Sequence, residues 1–313
     1  MALVRRVVTG HDGAGRAVFE SDGAPPKTVE MVSEVFSLDG PPREATDGGD
    51  GGGPGYALEP PPGGATVRII RLPSTGDWLP VPGAPDDRPG WHTTDTLDVE
   101  VILEGEIVLD LDDGEHRLGV GDVVVQRGTA HRWKVVGDGP CAYLAIMLRP
   151  EPGAVAPPAL TARLGDGPHR RIVTGVDGDG RSVGALDGPA PVALRTGDVT
   201  ITDLWQTGGV LTSVDQGGDS PGDYELEPIG GGVSVRAIEL ARAHDPGDAG
   251  WHTTDTIDVD VVLSGAVELW LPDLEPKVVA AGEVIVQRGT HHKWVPVGDE
   301  PFRMASVMFG LRH

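Results

Sequence analysis

One stretch of this 313-residue chain occurs twice, and that repetition constrains the fold more than any other feature. Trp91-His-Thr-Thr-Asp-Thr-Leu-Asp98 returns as Trp251-His-Thr-Thr-Asp-Thr-Ile-Asp258, and each copy runs on through a strand-like segment to Gly105 or Gly265. A second block follows each copy: Val124-Val-Gln-Arg-Gly-Thr-Ala-His131-Arg-Trp133 and Ile285-Val-Gln-Arg-Gly-Thr-His-His292-Lys-Trp294. The match continues upstream. Arg5-Arg-Val-Val-Thr-Gly pairs with Arg170-Arg-Ile-Val-Thr-Gly, Tyr56-Ala-Leu-Glu-Pro60 with Tyr224-Glu-Leu-Glu-Pro228, and Thr66-Val-Arg-Ile-Ile70 with Ser234-Val-Arg-Ala-Ile238. A period of about 160 residues is far longer than any solenoid repeat, so the chain is a duplicated domain. The halves divide as residues 1–152 and 169–313, joined by a Pro-rich segment over 153–168 that is expected to be stiff and extended.

Within each half the pattern is that of short strands. Gly 47 and Pro 28 cluster between Val, Ile and Leu runs, which is the punctuation of an all-β fold. Ile107, Leu109 and Leu111 share one face while Glu106 and Asp110 take the other, a half-buried antiparallel strand. Asp112-Asp-Gly-Glu115 reads as the hairpin turn that follows. Asp12-Gly and Asp177-Gly mark matching turns, each leading into a strand at Ala17–Phe19 or Ser182–Gly184. Helical periodicity is poor; Thr161–Leu164 and Ile238–Ala243 allow a turn or two at most. The run Asp47–Gly55 is Gly-rich but lacks a following Lys-Ser/Thr and a helix, so it reads as a loop and not as a phosphate cradle. Val99, Val101 and Leu103 share an apolar face suited to packing the halves together or to a homodimer.

Charge narrows the partners. With 48 acidic against 25 basic residues the net charge is −23, which opposes binding to nucleic acid or to an anionic membrane. Cys141 is the single cysteine, so no intrachain disulfide exists, as suits a reducing compartment. The first residues lack the apolar region of a secretory signal, and no stretch approaches a membrane span. A cytoplasmic protein with a small-molecule partner is the expectation.

The chemistry-bearing residues recur in register. In an extended strand His92 and Thr94 face one side. If the next strand is an antiparallel neighbour, Asp98 meets His92 across the pair, and the Gly-Thr turn before His131 aims that imidazole into the same space. His252, Asp258 and His292 repeat the set. Two histidines and one carboxylate with open positions suit Fe(II) first, and also accept Mn, Ni, Co or Zn.

In this order the motifs resemble those of the cupin superfamily, and the duplication resembles a two-domain bicupin. The usual first motif, His-x-His, three or four residues, Glu, six residues, Gly, is met by His92, Thr94, Asp98 and Gly105, and by His252, Thr254, Asp258 and Gly265. The usual second motif, Pro-x-Gly-x-x-His, is met by Gln126-Arg-Gly-Thr-Ala-His131 and Gln287-Arg-Gly-Thr-His-His292. The departures are Thr in place of the second histidine and Asp in place of Glu, with Val135 and Pro296 where an Asn often stands. The resemblance covers roughly residues 56–148 and 224–310 and implies two tandem jelly-roll β-barrels. It implies a metal-dependent enzyme acting on a small organic substrate, phenolic or carboxylic, with dioxygenase-type oxidation the first reading. The alternatives are a non-redox isomerase, decarboxylase or cyclase, and a non-catalytic bicupin that binds a small molecule.

Other residues are placed around this centre, with Arg68, Thr94, Gln126 and Trp133, and their counterparts Arg236, Thr254, Gln287 and Trp294, expected to line a substrate pocket. Glu100 and Asp260 lie two positions after the aspartates; they complete the metal site, act as general bases, pair with Arg68 and Arg236, or point to solvent. Thr94 and Thr254 are expected to support the ligands through their hydroxyls. Gln126 and Gln287 either bond a metal-bound water or brace the turn, and Trp133 and Trp294 either wall the pocket or pack the core. Trp91 and Trp251 read as packing residues, and His291 as a neighbour of the site. His11, His116, His169, His244 and His313 are read as loop or terminal residues.

Overall fold

The computed structural model describes residues 4–25, 27–29, 31–49, 57–81, 84–241 and 247–312. Tyr56, residues 50–55 of the Gly-rich run, His244 and His313 lie outside the described residues. The first half forms β1 (Arg6–His11), β2 (Ala17–Gly23), β3 (Lys27–Val29), β4 (Val32–Leu38), β5 (Ala65–Leu72), β6 (Leu97–Glu104), β7 (Glu106–Leu111), β8 (Gly114–Leu118), β9 (Val123–Arg127), β10 (Arg132–Val136) and β11 (Cys141–Leu148). The second half repeats that order as β12 (Arg170–Val176), β13 (Ser182–Pro189), β14 (Val192–Thr196), β15 (Val199–Gln206), β16 (Val233–Leu240), β17 (Thr256–Ser264), β18 (Ala266–Trp270), β19 (Lys277–Ala280), β20 (Val284–Arg288), β21 (Lys293–Val297) and β22 (Phe302–Gly310). The fold is all-β, built as two tandem jelly-roll barrels. In each, an eight-stranded sheet faces a three-stranded one, β10-β7-β8 in the first barrel and β19-β18-β21 in the second. None of the helices among the described residues is long and apolar enough to cross a membrane.

The helical turns allowed by the sequence do not form where expected. Residues 161–164 are irregular, and Ile238–Leu240 belong to β16, because pairing with β15 and β22 outweighs a weak local preference. The two short 3₁₀ turns fall instead at Ile229–Gly231 and Gly247–Gly250. His116 sits within β8 and bonds Asp113, and His11 closes β1, so neither is a loop residue.

The barrels exchange strands. The large sheet of the first barrel runs β13-β12-β9-β6-β11-β5-β4-β3, and that of the second runs β14-β15-β16-β22-β17-β20-β1-β2. The opening hairpin of each half therefore completes the barrel of the other. β1 lies parallel to β20 and β12 parallel to β9. Each exchanged hairpin stays tied to its own half by a buried arginine. Arg171 meets Asp219 at 2.6 Å with both side chains sealed from solvent, and it also donates to the carbonyls of Leu204 and Arg163. Arg6 donates to the Val35 carbonyl at 2.8 Å.

Alternation along β6 and β17 sorts the interior into two environments. Leu97, Val99 and Val101, with Ile257, Val259 and Val261, form one apolar core between the barrels, shared by both halves. The opposite faces carry Asp98, Glu100 and Ile102, or Asp258, Asp260 and Val262, into the barrel interiors. The polar side of these strands is thus buried too. Gly105 closes the β6–β7 turn at φ 72°, where a Cβ would stand 2.3 Å from the Pro140 carbonyl oxygen, so only glycine fits.

Because the core is shared and the hairpins are exchanged, the two barrels are expected to unfold together. Urea denaturation followed by tryptophan fluorescence and circular dichroism should give one coincident transition; two separated ones would mean independent barrels. Asp219→Ala leaves Arg171 charged and unpaired in the core and should lower stability by about 3–5 kcal/mol.

Candidate active site in the two barrels

The repeated histidines find each other before they find the carboxylate. His92 and His131 form an antiparallel bridge outside the regular strands, each amide donating to the other's carbonyl at 3.0 Å. Their rings lie 4.2 Å apart between centroids. His252 and His292 repeat the bridge, again with 4.2 Å between rings. The expected facing of Asp98 and His92 is therefore corrected. Asp98 stands opposite Gln126 on β9 and Met147 on β11, because it is the segment after β9 that pairs with His92.

Each imidazole is held in one tautomer. His92 Nδ1 lies 2.9 Å from the Gly90 carbonyl oxygen and His131 Nδ1 2.9 Å from that of Thr129; His252 and His292 make the same bonds to Gly250 and Thr290. A carbonyl only accepts, so Nδ1 carries the proton and Nε2 keeps its lone pair. Burial and then the neighbouring imidazole push His131 and His292 down to about 3, and burial lowers His92 as well. All three are neutral at physiological pH.

The carboxylates behave oppositely. Asp98, Glu100, Asp258 and Asp260 are all buried, which answers the question of where Glu100 and Asp260 point. Burial pushes Asp98 and Asp260 up to about 7. Burial and the charge of the adjacent carboxylate push Glu100 and Asp258 well above the usual carboxylate range. Each pair therefore keeps a proton at neutral pH, since two like charges cannot share this space. Thr94 Oγ1 donates to Asp98 Oδ2 at 3.2 Å and Thr254 Oγ1 to Asp258 Oδ2 at 3.3 Å, the supporting role expected of those hydroxyls.

The arginines serve elsewhere. Arg68 pairs with Glu34 at 2.9 Å and Arg236 with Asp203 at 3.2 Å, so neither neutralises Glu100 or Asp260. The register decides this: Glu34 and Arg68 are direct partners on β4 and β5, whereas Glu100 lies two strands from Arg68. Arg68 also donates to the carbonyls of Ala57 and Leu58, and Arg236 to that of Leu226. These bonds fasten the repeated Leu-Glu-Pro segment, whose Glu59 and Glu227 accept from the amides of Asp95 and Asp255. Glu34 and Asp203 escaped sequence reasoning. Their one signal was an acidic residue at the same place in two otherwise uncharged strands.

Gln126 braces its turn by donating to Thr129 Oγ1 at 2.8 Å, and Gln287 does the same to Thr290. Those threonines bond Thr174 and Thr9 of the exchanged hairpins at 2.9 and 3.0 Å. Trp133 meets the edge of His131 at 5.8 Å and stacks on Tyr143 at 6.3 Å; Trp294 meets His292 at 5.6 Å. Trp91 is gripped by Arg88 and Arg132, with Trp78 on the other side of Arg132, so it packs outside the barrel as expected. His291 stacks on Trp251 at 5.2 Å.

The donors fit a divalent cation in kind. Neutral imidazoles with a free Nε2 and an anchored Nδ1 are the form that ligation requires. Oδ1 of Asp98 and of Asp258 is buried without a well-formed hydrogen bond. The expected three-donor cluster is not preassembled, however: among the described residues no three His, Cys, Asp or Glu side chains converge closely enough to hold an ion. The histidine pair is brought together, and the carboxylate is turned towards Thr94.

Comparison with known proteins places these motifs in company. A family model described as "Cupin domain" matches residues 80–147. The Phomopsin biosynthesis cluster protein C' of Diaporthe leptostromiformis is 33% identical over 144 residues, spanning 41% of this chain and 69% of that protein. The cupin-domain-containing oxidoreductase fogC of Aspergillus ruber is 33% identical over 163 residues, spanning 47% of this chain and 73% of its own. Among solved structures, the putative glyoxylate induced protein of Pseudomonas aeruginosa superposes over 92% of this chain and 84% of its own, with a TM-score of 0.51 at 12% identity, a likeness of fold.

The shifted groups set a pH dependence in metal-free protein. Asp98 and Asp260 titrate near 7 when folded and near 3.8 when unfolded. The folded state binds more protons between those values, so their contribution to stability falls as pH rises through that window and is flat above it. His131 and His292, near 3 folded and 6.5 unfolded, contribute in the opposite sense, with stability rising across pH 3 to 6.5. Asp98→Asn removes the first effect from one barrel. Its gain over wild type in urea denaturation should grow from pH 5 to pH 7 and then level; a pH-independent difference would show that Asp98 is already ionised.

Proposed function

Since the chain belongs to the cupin superfamily, we propose that it is a cupin-fold oxidoreductase that acts on a small organic molecule inside its barrels. One observation carries this reading: in each barrel two imidazoles, each anchored through Nδ1, face each other at 4.2 Å with Nε2 free, beside a buried carboxyl pair that retains a proton. Names such as fogC, a cupin-domain-containing oxidoreductase, and a phomopsin biosynthesis cluster protein support oxidative work on small metabolites.

In the first barrel, Nε2 of His92 and His131 with the Asp98 carboxylate would hold a divalent metal, Fe(II) by preference; His252, His292 and Asp258 would do so in the second. Bound there, a redox-active metal supplies one-electron chemistry and a Lewis acid for a carbonyl or enolate oxygen. The chain's own residues do the rest. Thr94 and Thr254 orient the aspartates, and the Gly90 and Thr129 carbonyls fix the imidazole tautomers. Glu100 and Asp260 exchange protons with the substrate, their pKa values raised towards the operating pH as general acid–base catalysis requires. Trp133 and Tyr143 exclude water from one wall. A second reading, non-redox proton transfer by an isomerase or decarboxylase, is favoured by the same carboxyl pair near pH 7.

Elemental analysis after expression with iron, manganese or zinc should find a transition metal bound, up to one per barrel. His131→Ala should about halve that content while shifting the melting temperature little, because the apolar strands are untouched. A fully metal-free protein that still turns over substrate would remove the oxidoreductase reading in favour of proton transfer.

A further inference from the structure

We propose that the two barrels are unequal and that the first alone takes up the ligand, which must be a flat molecule presenting at least two O–H or N–H donors. This rests on the reading of the barrels as the reactive cavities. Around the imidazoles the barrels match almost residue for residue, but their walls differ where the carboxylates point.

Glu100 and Asp260 occupy equivalent places on β6 and β17. Glu100 stands opposite Ala145 of β11, and Asp260 opposite Ser306 of β22. Ser306 carries a hydroxyl directly across the strand pair from Asp260, whereas Ala145 offers none and Glu100 Oε2 is buried without a partner. Two residues along, Asp98 faces Gln126 and Asp258 faces Gln287. Gln287 Oε1 accepts from Thr9 Oγ1 at 3.1 Å. Gln126 Oε1, on a fully buried side chain, has no partner, although Thr174 stands where Thr9 stands in the other barrel.

Glu100 and Gln126 are diagonal neighbours on adjacent strands, so their two oxygens face one stretch of the first barrel. The unpartnered hydroxyls of Thr66 and Ser234, and of Thr96 and Thr256, recur in both barrels and do not distinguish them. Gln206 Oε1 is also unpartnered in the second barrel, but it lies on β15, beyond β16 and β22 from Asp258.

Buried acceptors without donors favour whatever brings donors to them. Gln126 Oε1 only accepts, and the protonated Glu100 carboxyl keeps an acceptor oxygen beside its one O–H, so this wall favours a ligand with O–H or N–H groups over one that only accepts. The stacked rings of Trp133 and Tyr143 beside His131 suit a flat body. In the second barrel Met304 takes the place of Tyr143, and the flat wall is lost.

Resorcinol, which carries two hydroxyls without chelating metals, is the probe. Calorimetric titration of the full chain should show one site, with 1,3-dimethoxybenzene and benzoate at least about tenfold weaker, as loss of such hydrogen bonds implies. Ala145→Ser supplies the hydroxyl that the second barrel has and should weaken resorcinol about tenfold. Ser306→Ala leaves Gln287 bonded to Thr9 and Met304 in the place of Tyr143, so the stoichiometry should stay at one. Where Ala145→Ser fails to fold, Glu100→Gln serves in its place. Two equal sites in the wild type, loss on Asp260→Asn but not on Glu100→Gln, or no saturable binding because water satisfies the acceptors would each overturn the proposal. One bound resorcinol in a chain that takes up no metal would defeat the oxidoreductase reading and leave this one standing.

Discussion

Neither half of this chain closes its own barrel. The parallel pairings of β1 with β20 and of β12 with β9 carry each opening hairpin into the opposite sheet, and most of the remaining structure depends on them. Thr9 and Thr174 arrive with those hairpins and bond Thr290 and Thr129, the residues that brace the turns before His292 and His131. Each imidazole pair is thus positioned by the half of the chain that does not contain it. A duplicated sequence in which neither copy is complete without the other is an intramolecular version of a strand-exchanged dimer.

The interior inverts the usual arrangement of a half-exposed sheet. The apolar faces of β6 and β17 are used up between the barrels, so their polar faces turn into the barrel cavities. Burying carboxylates there is tolerable because they stay protonated in pairs, and burying histidines is tolerable because they stay neutral. Among the buried charged groups, Arg68 with Glu34, Arg236 with Asp203 and Arg171 with Asp219 are matched in oppositely charged pairs. Desolvation, and not simple opposite-charge pairing, therefore sets the chemistry of the cavity.

Much of the site was legible in the sequence, for a physical reason. Residues that recur at identical spacing in two copies of a β domain fall at identical places on equivalent strands, so His92, His131 and Asp98 could be grouped as candidates without coordinates, whereas Glu100 was left open between the barrel and solvent. Period-2 alternation also gave Val99 and Val101 one apolar face, suited to the contact between barrels or to a homodimer, and the fold uses it between the barrels. What could not be read was partner choice. Spacing suggested Asp98 for His92 and Glu100 for Arg68, but strand order gave His131 to His92 and Glu34 to Arg68.

By itself the sequence determined the class of fold, the duplication, and the matching candidate histidines and aspartates of the two copies, because these follow from local periodicity and repeat spacing. Tertiary structure alone decided that the opening hairpins change places and that the carboxyl pairs are sealed from water. It also decided that Glu100 meets Ala145 where Asp260 meets Ser306. Those outcomes rest on which strands become neighbours, a long-range choice that no local pattern along the chain encodes.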